Sequence, residues 1–256
     1  MTRPTLIVAD DLGSAPYKTD AILATLESGL ITHASMMSTS NDFDRACALV
    51  HDRGIGNRIG VHLSLSEGTP LTDGVRQTAF CDAEGRFQRL PGSGRLMRLG
   101  AHRDVVAREL HAQAVRILDS GLMLAHVDSH HHVHIQPAIS LLVVRIAREL
   151  GVPRVRLAPN MRRSARLGYR LYARAHNRRL RRLGLATTRY VGSLPQFLRL
   201  AGTIGPAGDY ELVVHPVLGE NGQIEDQDRP GESLAALLDE CFPEPPAPSV
   251  GAAAAR

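Results

Sequence analysis

The chain has no tryptophan, and aromatic residues make up only 4% of its 256 positions. That scarcity argues against a stacking platform for single-stranded nucleic acid, where bases lie on exposed rings. Cysteine is equally sparse. Cys47, Cys81 and Cys241 are odd in number and far apart, which speaks against a disulfide framework and against a Cys-x-x-Cys zinc knot. No apolar run approaches the roughly 18–20 residues of a membrane span. Met1-Thr2-Arg3-Pro4 leads into a strand-like run without an apolar signal core, so the expected location is cytoplasmic.

What is present fits one α/β domain. At 256 residues with 43% apolar content the chain can bury a full core. A single domain is expected over residues 1–242, followed by a Pro- and Ala-rich tail, 243–256, with the composition of a disordered segment. The net charge of +4 and pI near 9.3 are unevenly spread, with much of the excess between Arg154 and Arg189. Within that stretch Arg163, Arg166, Arg170, Arg174, Arg178 and Arg181 recur at helical spacing over an expected helix from 162 to 183. Such a stripe is ordinarily a solvated face, and otherwise a site for anionic groups or a membrane surface.

Strand and helix patterns alternate along the chain. Thr5-Leu6-Ile7-Val8 is a continuous apolar run, as in a strand buried on both faces, and it stops at the adjacent acids Asp10 and Asp11. One acid can cap the next helix, but two ionised carboxylates at a buried strand end need a cation or hydrogen bonds. Ile59 to Leu65 alternates, with His62 on the face opposite Val61 and Leu63. Residues 67–100 are rich in Gly and Pro with little periodicity and read as a lid or substrate-binding insertion, with a small hairpin around Asp82–Gly85. Helices are expected over 104–120 and 137–150, and the last strong strand, Tyr210 to Val214, ends in His215-Pro216.

The densest feature is Ala125-His126-Val127-Asp128-Ser129-His130-His131-His132-Val133-His134, which holds five of the twelve histidines. Imidazole is the commonest protein metal ligand, and a cluster this dense is poorly explained by packing. Each polar group named here falls where a strand ends and a crossover helix begins. In parallel α/β sheets chemistry sits at that edge, and a parallel barrel or strongly curved sheet would bring the groups together. One carboxylate and two histidines make an open facial site for a divalent metal, which acidifies bound water and polarises a carbonyl. The other acid of the Asp10-Asp11 pair then serves as general base and His215 as general acid, so amide or ester hydrolysis is the natural inference. Spacing alone leaves His130 and His132 equivalent, because they share strand parity.

Val8-Ala-Asp-Asp-Leu-Gly13, Ile59-Gly-Val-His-Leu63, His126 to His134 and Val214-His-Pro216 resemble, in order, four sequence blocks of the YdjC/ChbG-like carbohydrate deacetylases. The resemblance covers roughly residues 5 to 218, and its His-rich block is the most specific part. It implies a distorted (β/α) barrel of mostly parallel strands and one divalent metal ion, Mg2+ or Zn2+. It also implies removal of acetyl from an N-acetylated amino sugar, and a possible homodimer. By matching positions, Asp11, His62 and His130 would hold the metal, Asp10 would be the base and His215 would protonate the departing amine. Asp128 and His132 would orient these groups. Leu12 stands where Phe is usual and Val217 where Gly is common, which bears on the pocket wall and so on substrate identity. The basic helix suggests a substrate bearing phosphate, acid groups or a lipid. Two rivals remain: a non-haem iron oxygenase with a two-histidine, one-carboxylate site, usually built on a β-sandwich, and an anion- or nucleic-acid-binding module on the arginine stripe.

Overall fold

The N-terminal apolar run lies near the middle of a parallel sheet. The computed structural model describes residues 6–89, 92–161, 165–185, 188–200 and 209–242. In chain order the first half comprises β1 (Leu6–Leu12), α1 (Pro16–Glu27), β2 (His33–Met36), α2 (Phe43–Asp52), β3 (Ile59–Leu63), α3 (Asp73–Arg76) and α4 (Gly92–Asp119). The second half comprises β4 (Val127–Ser129), α5 (Pro137–Glu149), α6 (Leu167–Arg182), β5 (Tyr190–Ser193), α7 (Leu194–Leu200) and β6 (Tyr210–Val214). A small appendage follows: β7 (Pro216–Leu218), β8 (Ile224–Asp226), β9 (Arg229–Ser233) and α8 (Leu234–Cys241).

Six strands form one parallel sheet in the order β4-β3-β2-β1-β6-β5. Crossover helices cover it, which is why β1, β3 and β6 are buried along their whole length. The sheet curls into a half-barrel, and an irregular segment spans its two edges. Val155 bridges Val127 of β4 in parallel. Arg156 N donates to Val127 O at 2.9 Å, and Asn160 N donates to Val191 O of β5 at 3.1 Å. A distorted barrel results, so the iron-oxygenase alternative lacks the sandwich it usually needs.

Local sequence explains the elements that were legible. In α5, Pro137 occupies the first turn, where a missing N–H costs nothing, and Ile139, Leu142, Val143 and Ile146 form the buried face. Gly151, at φ 67°, ends it. In β3 the alternation seen in the sequence separates two environments. Val61 and Leu63 join the apolar core, while Gly60 and His62 face a polar interior.

Four sequence expectations change. The helix expected to begin at Asp104 begins at Gly92 and kinks at His102, where φ is −125°. Three glycines, Gly92, Gly94 and Gly100, weaken its helical signal, so the 67–100 insertion contains α3 and the first turns of α4. The Asp82–Gly85 turn is present, with Cys81 and Phe87 bridged antiparallel across it. The helix expected over 162–183 runs from Leu167 to Arg182, and Arg163 lies outside the described residues. Strand pairing continues past Val214 in the antiparallel sheet β7-β8-β9. The tail 243–256 also lies outside the described residues. Among the described residues no helix is long and apolar enough to cross a membrane.

Candidate metal centre and active site

Consecutive residues of a regular strand point to opposite faces, yet Asp10 and Asp11 both reach His62. His62 Nε2 lies 3.9 Å from Asp10 Oδ2 and 3.4 Å from Asp11 Oδ1. Asp11 achieves this with a left-handed backbone, φ 72°, a conformation uncommon outside glycine and concentrated at functional sites. The pairing of β1 with β2 shifts register between Ala9 and Leu12, at the same place.

The histidine tract is likewise not extended. β4 stops at Ser129, and His131 and His132 adopt φ of 50° and 52°. Strand parity therefore does not apply to His130 and His132, and the turn sends them to different places. His130 Nδ1 lies 2.9 Å from Asp11 Oδ1, and its Nε2 lies 2.9 Å from Glu67 Oε2. His132 lines a cavity beside the cluster, and its Nδ1 is buried without a partner. His131, exposed, meets Ser66 Oγ at 2.9 Å. His134 lies at 2.6 Å from Ser129 Oγ.

Asp11, His62 and His130 each offer a donor atom, and these atoms lie within 4.8 Å of one another. Asp128, paired with His62 across β3 and β4, sits 2.7 Å from His62 Nδ1. That contact fixes the ring with Nε2 turned toward Asp11, the arrangement by which a carboxylate orients a metal-binding imidazole. Behind it Ser35 Oγ donates to Asp128 Oδ2 at 2.6 Å and meets His126 Nε2 at 2.8 Å. The His126 ring fills the space over Gly60, where an added Cβ would stand 2.4 Å from it.

The centre of this interior is Arg156, which is 1% exposed. Its guanidinium donates to both oxygens of Asp10 at 2.7 and 2.8 Å and to Glu211 Oε1 at 2.6 Å, and it pairs with Asp128 Oδ2 at 2.6 Å. Lys18 Nζ pairs with Asp11 Oδ2 at 2.9 Å. Four buried carboxylates (Asp10, Asp11, Asp128, Glu211) thus face Arg156 and Lys18, with the half-buried Arg154 acting on Glu211 and Asp128 from farther off, so negative charge exceeds permanent positive charge by one. Isolated buried charge is costly, and a cation between Asp11, His62 and His130 would offset this excess. The donor set suits it as well, with oxygen and imidazole nitrogen ligands.

The ionisation of these groups follows the same imbalance. Burial opposes the charged form of His62, but Asp128, Asp10 and Asp11 override it and raise its pKa to about 10. Burial also opposes the charge on His130, which Asp11 and Glu67 nevertheless push upward. Asp11, disfavoured as an anion by burial, is held well below the usual carboxylate range by His130 and His62. Asp128 is held there, against its burial, by Arg156 and His62. The imidazoles whose basicity is raised are the ones a metal would take, so a metal and protons would compete for the same atoms. His132 behaves oppositely. Burial, then Arg156, lowers its pKa to about 4, so it is neutral at pH 7.

His215 follows β6, and the register Ala9↔Val214 places it beside Asp10. Its backbone N–H donates to Asp226 Oδ2 at 2.8 Å, and its ring shares a cluster with Asp226 and Asp228. Sequence reasoning missed Arg156, Glu67, Lys18, Ser35 and Glu211. An arginine flanked by Val155 and Leu157, in a short apolar stretch, was the one available signal.

The family model described as YdjC-like protein matches residues 5–244. A carbohydrate deacetylase of Brevibacillus brevis is 36% identical over 148 residues, 58% of this chain and 57% of that protein. One of Geobacillus stearothermophilus is 32% identical over 154 residues, 60% and 59% of the two chains. The chain thus aligns to little more than half the length of these relatives. A crystal structure of a candidate cellobiose-phosphate cleavage protein from Enterococcus faecalis superposes with a TM-score of 0.68 at 21% identity, covering 95% of this chain and 92% of that one; it speaks to the fold alone. With the model matched along nearly the whole chain, and the motif residues Asp11, His62 and His130 meeting in one cluster, the chain belongs to the YdjC-like family.

Proposed function

We propose that the protein is a metal-dependent carbohydrate deacetylase that removes acetyl from an N-acetylated amino sugar. The observation that carries this reading is the convergence of Asp11, His62 and His130 at the sheet edge, with Asp10 next to them on β1 and His215 directly after β6, the neighbouring strand. The naming of relatives as carbohydrate deacetylases supports it.

Asp11, His62 and His130 would hold Mg2+ or Zn2+, which when bound supplies Lewis acidity toward an amide carbonyl. The remaining work belongs to the chain's own side chains. Asp10, fixed by the Arg156 fork, accepts a proton from the water that adds to the acetyl carbon. As the C–N bond breaks, His215 gives a proton to the amine nitrogen, and the products are acetate and a free amino sugar. Asp128 keeps His62 in the tautomer that presents Nε2. His132, neutral and lining the cavity, contributes a hydrogen-bonding group that does not repel the cation.

The test is acetate release from N-acetylated glucosamine oligomers by protein loaded with Mg2+ or Zn2+ and by chelated protein. Release that needs the metal and disappears in Asp11→Asn is expected. Absence of release from every N-acetylated sugar tried, with metal bound at one equivalent, would overturn the reading.

A further inference from the structure

The two adjacent acids of β1 meet permanent cations in different ways. Both oxygens of Asp10 lie in the Arg156 fork, at 2.7 and 2.8 Å. Asp11 is divided: Oδ2 accepts from Lys18 Nζ at 2.9 Å, while Oδ1 faces His130 Nδ1 at 2.9 Å and His62 Nε2 at 3.4 Å. Oδ1 is therefore the one oxygen of the acid pair that no lysine or arginine touches, and it is the oxygen turned toward both candidate histidine ligands. The Lys18 side chain is only 16% exposed, so its ammonium has given up much of its hydration to reach Asp11.

Local structure offers Lys18 no reason to be there. It is the third residue of α1, whose N-cap Ala15 makes no side-chain capping bond and whose first turn holds no acid. The positive end of a helix favours carboxylates at this position and disfavours a cation. A residue that breaks a local rule without a local gain is expected at a functional site. Nor is Lys18 needed to hold Asp11 in place. Ser14 N donates to Asp11 O at 3.1 Å, Gly13 N donates to Thr19 Oγ1 at 3.2 Å, and Thr19 Oγ1 donates to Asp42 Oδ2 at 2.6 Å. These bonds fix the turn between β1 and α1, and the two imidazoles hold the carboxylate from the interior. What Lys18 adds is charge.

We propose that Lys18 is a positioning residue that acts through Asp11: it reserves Oδ1 for the metal and weakens the hold of Asp11 on it. A cation held by Asp11, His62 and His130 would have an ammonium on the other oxygen of its carboxylate ligand. Like charge across one carboxyl group raises the energy of the bound cation. It also draws electron density from Asp11, so the cation keeps more of its power to polarise a carbonyl. Without Lys18 the cluster binds the metal more tightly and uses it less well. The proposal rests on the metal-dependent deacetylase reading and adds to it a residue that sets metal affinity against turnover.

Metal dissociation constants are measured on the full chain by competition with a chelator of known affinity, for Zn2+ and Mg2+ separately, in wild type, Lys18→Met, Lys18→Gln and Lys18→Arg. Lys18→Met should bind metal about tenfold more tightly, a shift that loss of a merely structural contact does not produce. Lys18→Gln, which can keep a hydrogen bond to Oδ2 without the charge, should tighten binding as Lys18→Met does, and Lys18→Arg should restore the wild-type constant. In acetate release from an N-acetylated glucosamine oligomer, kcat of the two uncharged variants should fall about tenfold with KM little changed. Urea unfolding in chelator checks that each variant is folded. Unchanged affinity in both uncharged variants makes the ion pair incidental and overturns the proposal. Weaker affinity makes Lys18 a strut for Asp11 and overturns it too, as does Lys18→Arg behaving like Lys18→Met. If affinity tightens as expected but no N-acetylated sugar releases acetate even with the wild type, the role of Lys18 at the metal stands and the deacetylase reading fails. If wild-type release needs metal while affinity ignores Lys18, the deacetylase reading stands and this proposal fails.

Discussion

Replacing Arg156 by Met should be among the most damaging single changes in the interior. The guanidinium contacts three buried carboxylates at 2.6 to 2.8 Å, and Met keeps much of its volume while removing every donor and the charge. Removing one partner of a buried ion pair costs about 3–5 kcal/mol, a large share of the roughly 5–15 kcal/mol that stabilises a domain. Urea unfolding in the presence of chelator should therefore show a loss of about that size. A second substitution separates charge imbalance from lost packing. Glu211→Gln added to Arg156→Met removes one stranded carboxylate and should recover about 1–2 kcal/mol, although in the wild type it breaks a salt bridge and should destabilise. Arg156→Lys retains the charge but not the fork on Asp10, so kcat should fall about 10–100-fold while metal content holds. A loss under about 1 kcal/mol in Arg156→Met, or purely additive destabilisation in the double variant, would refute the account of this interior as a charge-balanced cage.

Other consequences are more local. Asp10→Asn should retain the metal yet lose about 10²–10⁴-fold in turnover; loss of metal in that variant would reassign Asp10. His130→Ala should lower metal content by equilibrium dialysis, and His131→Ala should do so far less, because His131 is turned to Ser66 and solvent. Gly60→Ala pushes a methyl to 2.4 Å from the His126 ring and should cost about 1–3 kcal/mol by thermal denaturation; an unchanged midpoint would contradict that packing. Acid stability follows from buried neutral histidines. Burial, aided by neighbouring arginines, lowers His33 to about 3 and His176 to about 4 from the usual 6.5. The unfolded chain then binds protons near pH 6.5 that the folded chain refuses, so their contribution is complete above 6.5 and is lost as pH falls toward 4. Both rings are partly solvated, which reduces the loss to about 1–2 kcal/mol each. His62, raised to about 10, adds only a small opposing slope near the top of that window, because it is protonated throughout in the folded state but only half so at pH 6.5 in the unfolded one. Unfolding midpoints at pH 6.5 and 4.5 in chelator should differ in this sense, and less in His33→Gln/His176→Gln.

Local pattern determined the outline of this protein. Alternating apolar runs and helical stripes dictate a parallel α/β sheet, because a strand apolar on both faces needs helices on both sides. Polar groups placed where such strands end mark the edge that carries chemistry, and so Asp10, Asp11, His62 and the histidine tract could be named from spacing alone. Tertiary structure decided which of them meet. His130 and His132 differ only because the turn after Ser129 runs left-handed through His131 and His132, a conformation that no residue type in the tract announces. Asp11 joins Asp10 at His62 through its own positive φ, not through strand alternation. Arg156 lies 146 positions from Asp10, and the irregular stretch that carries it takes its place by bridging the two edges of the sheet. Periodicity reports on neighbours within a turn or a pleat, whereas charge balance in a barrel interior is settled by strands that the chain brings together from its two ends.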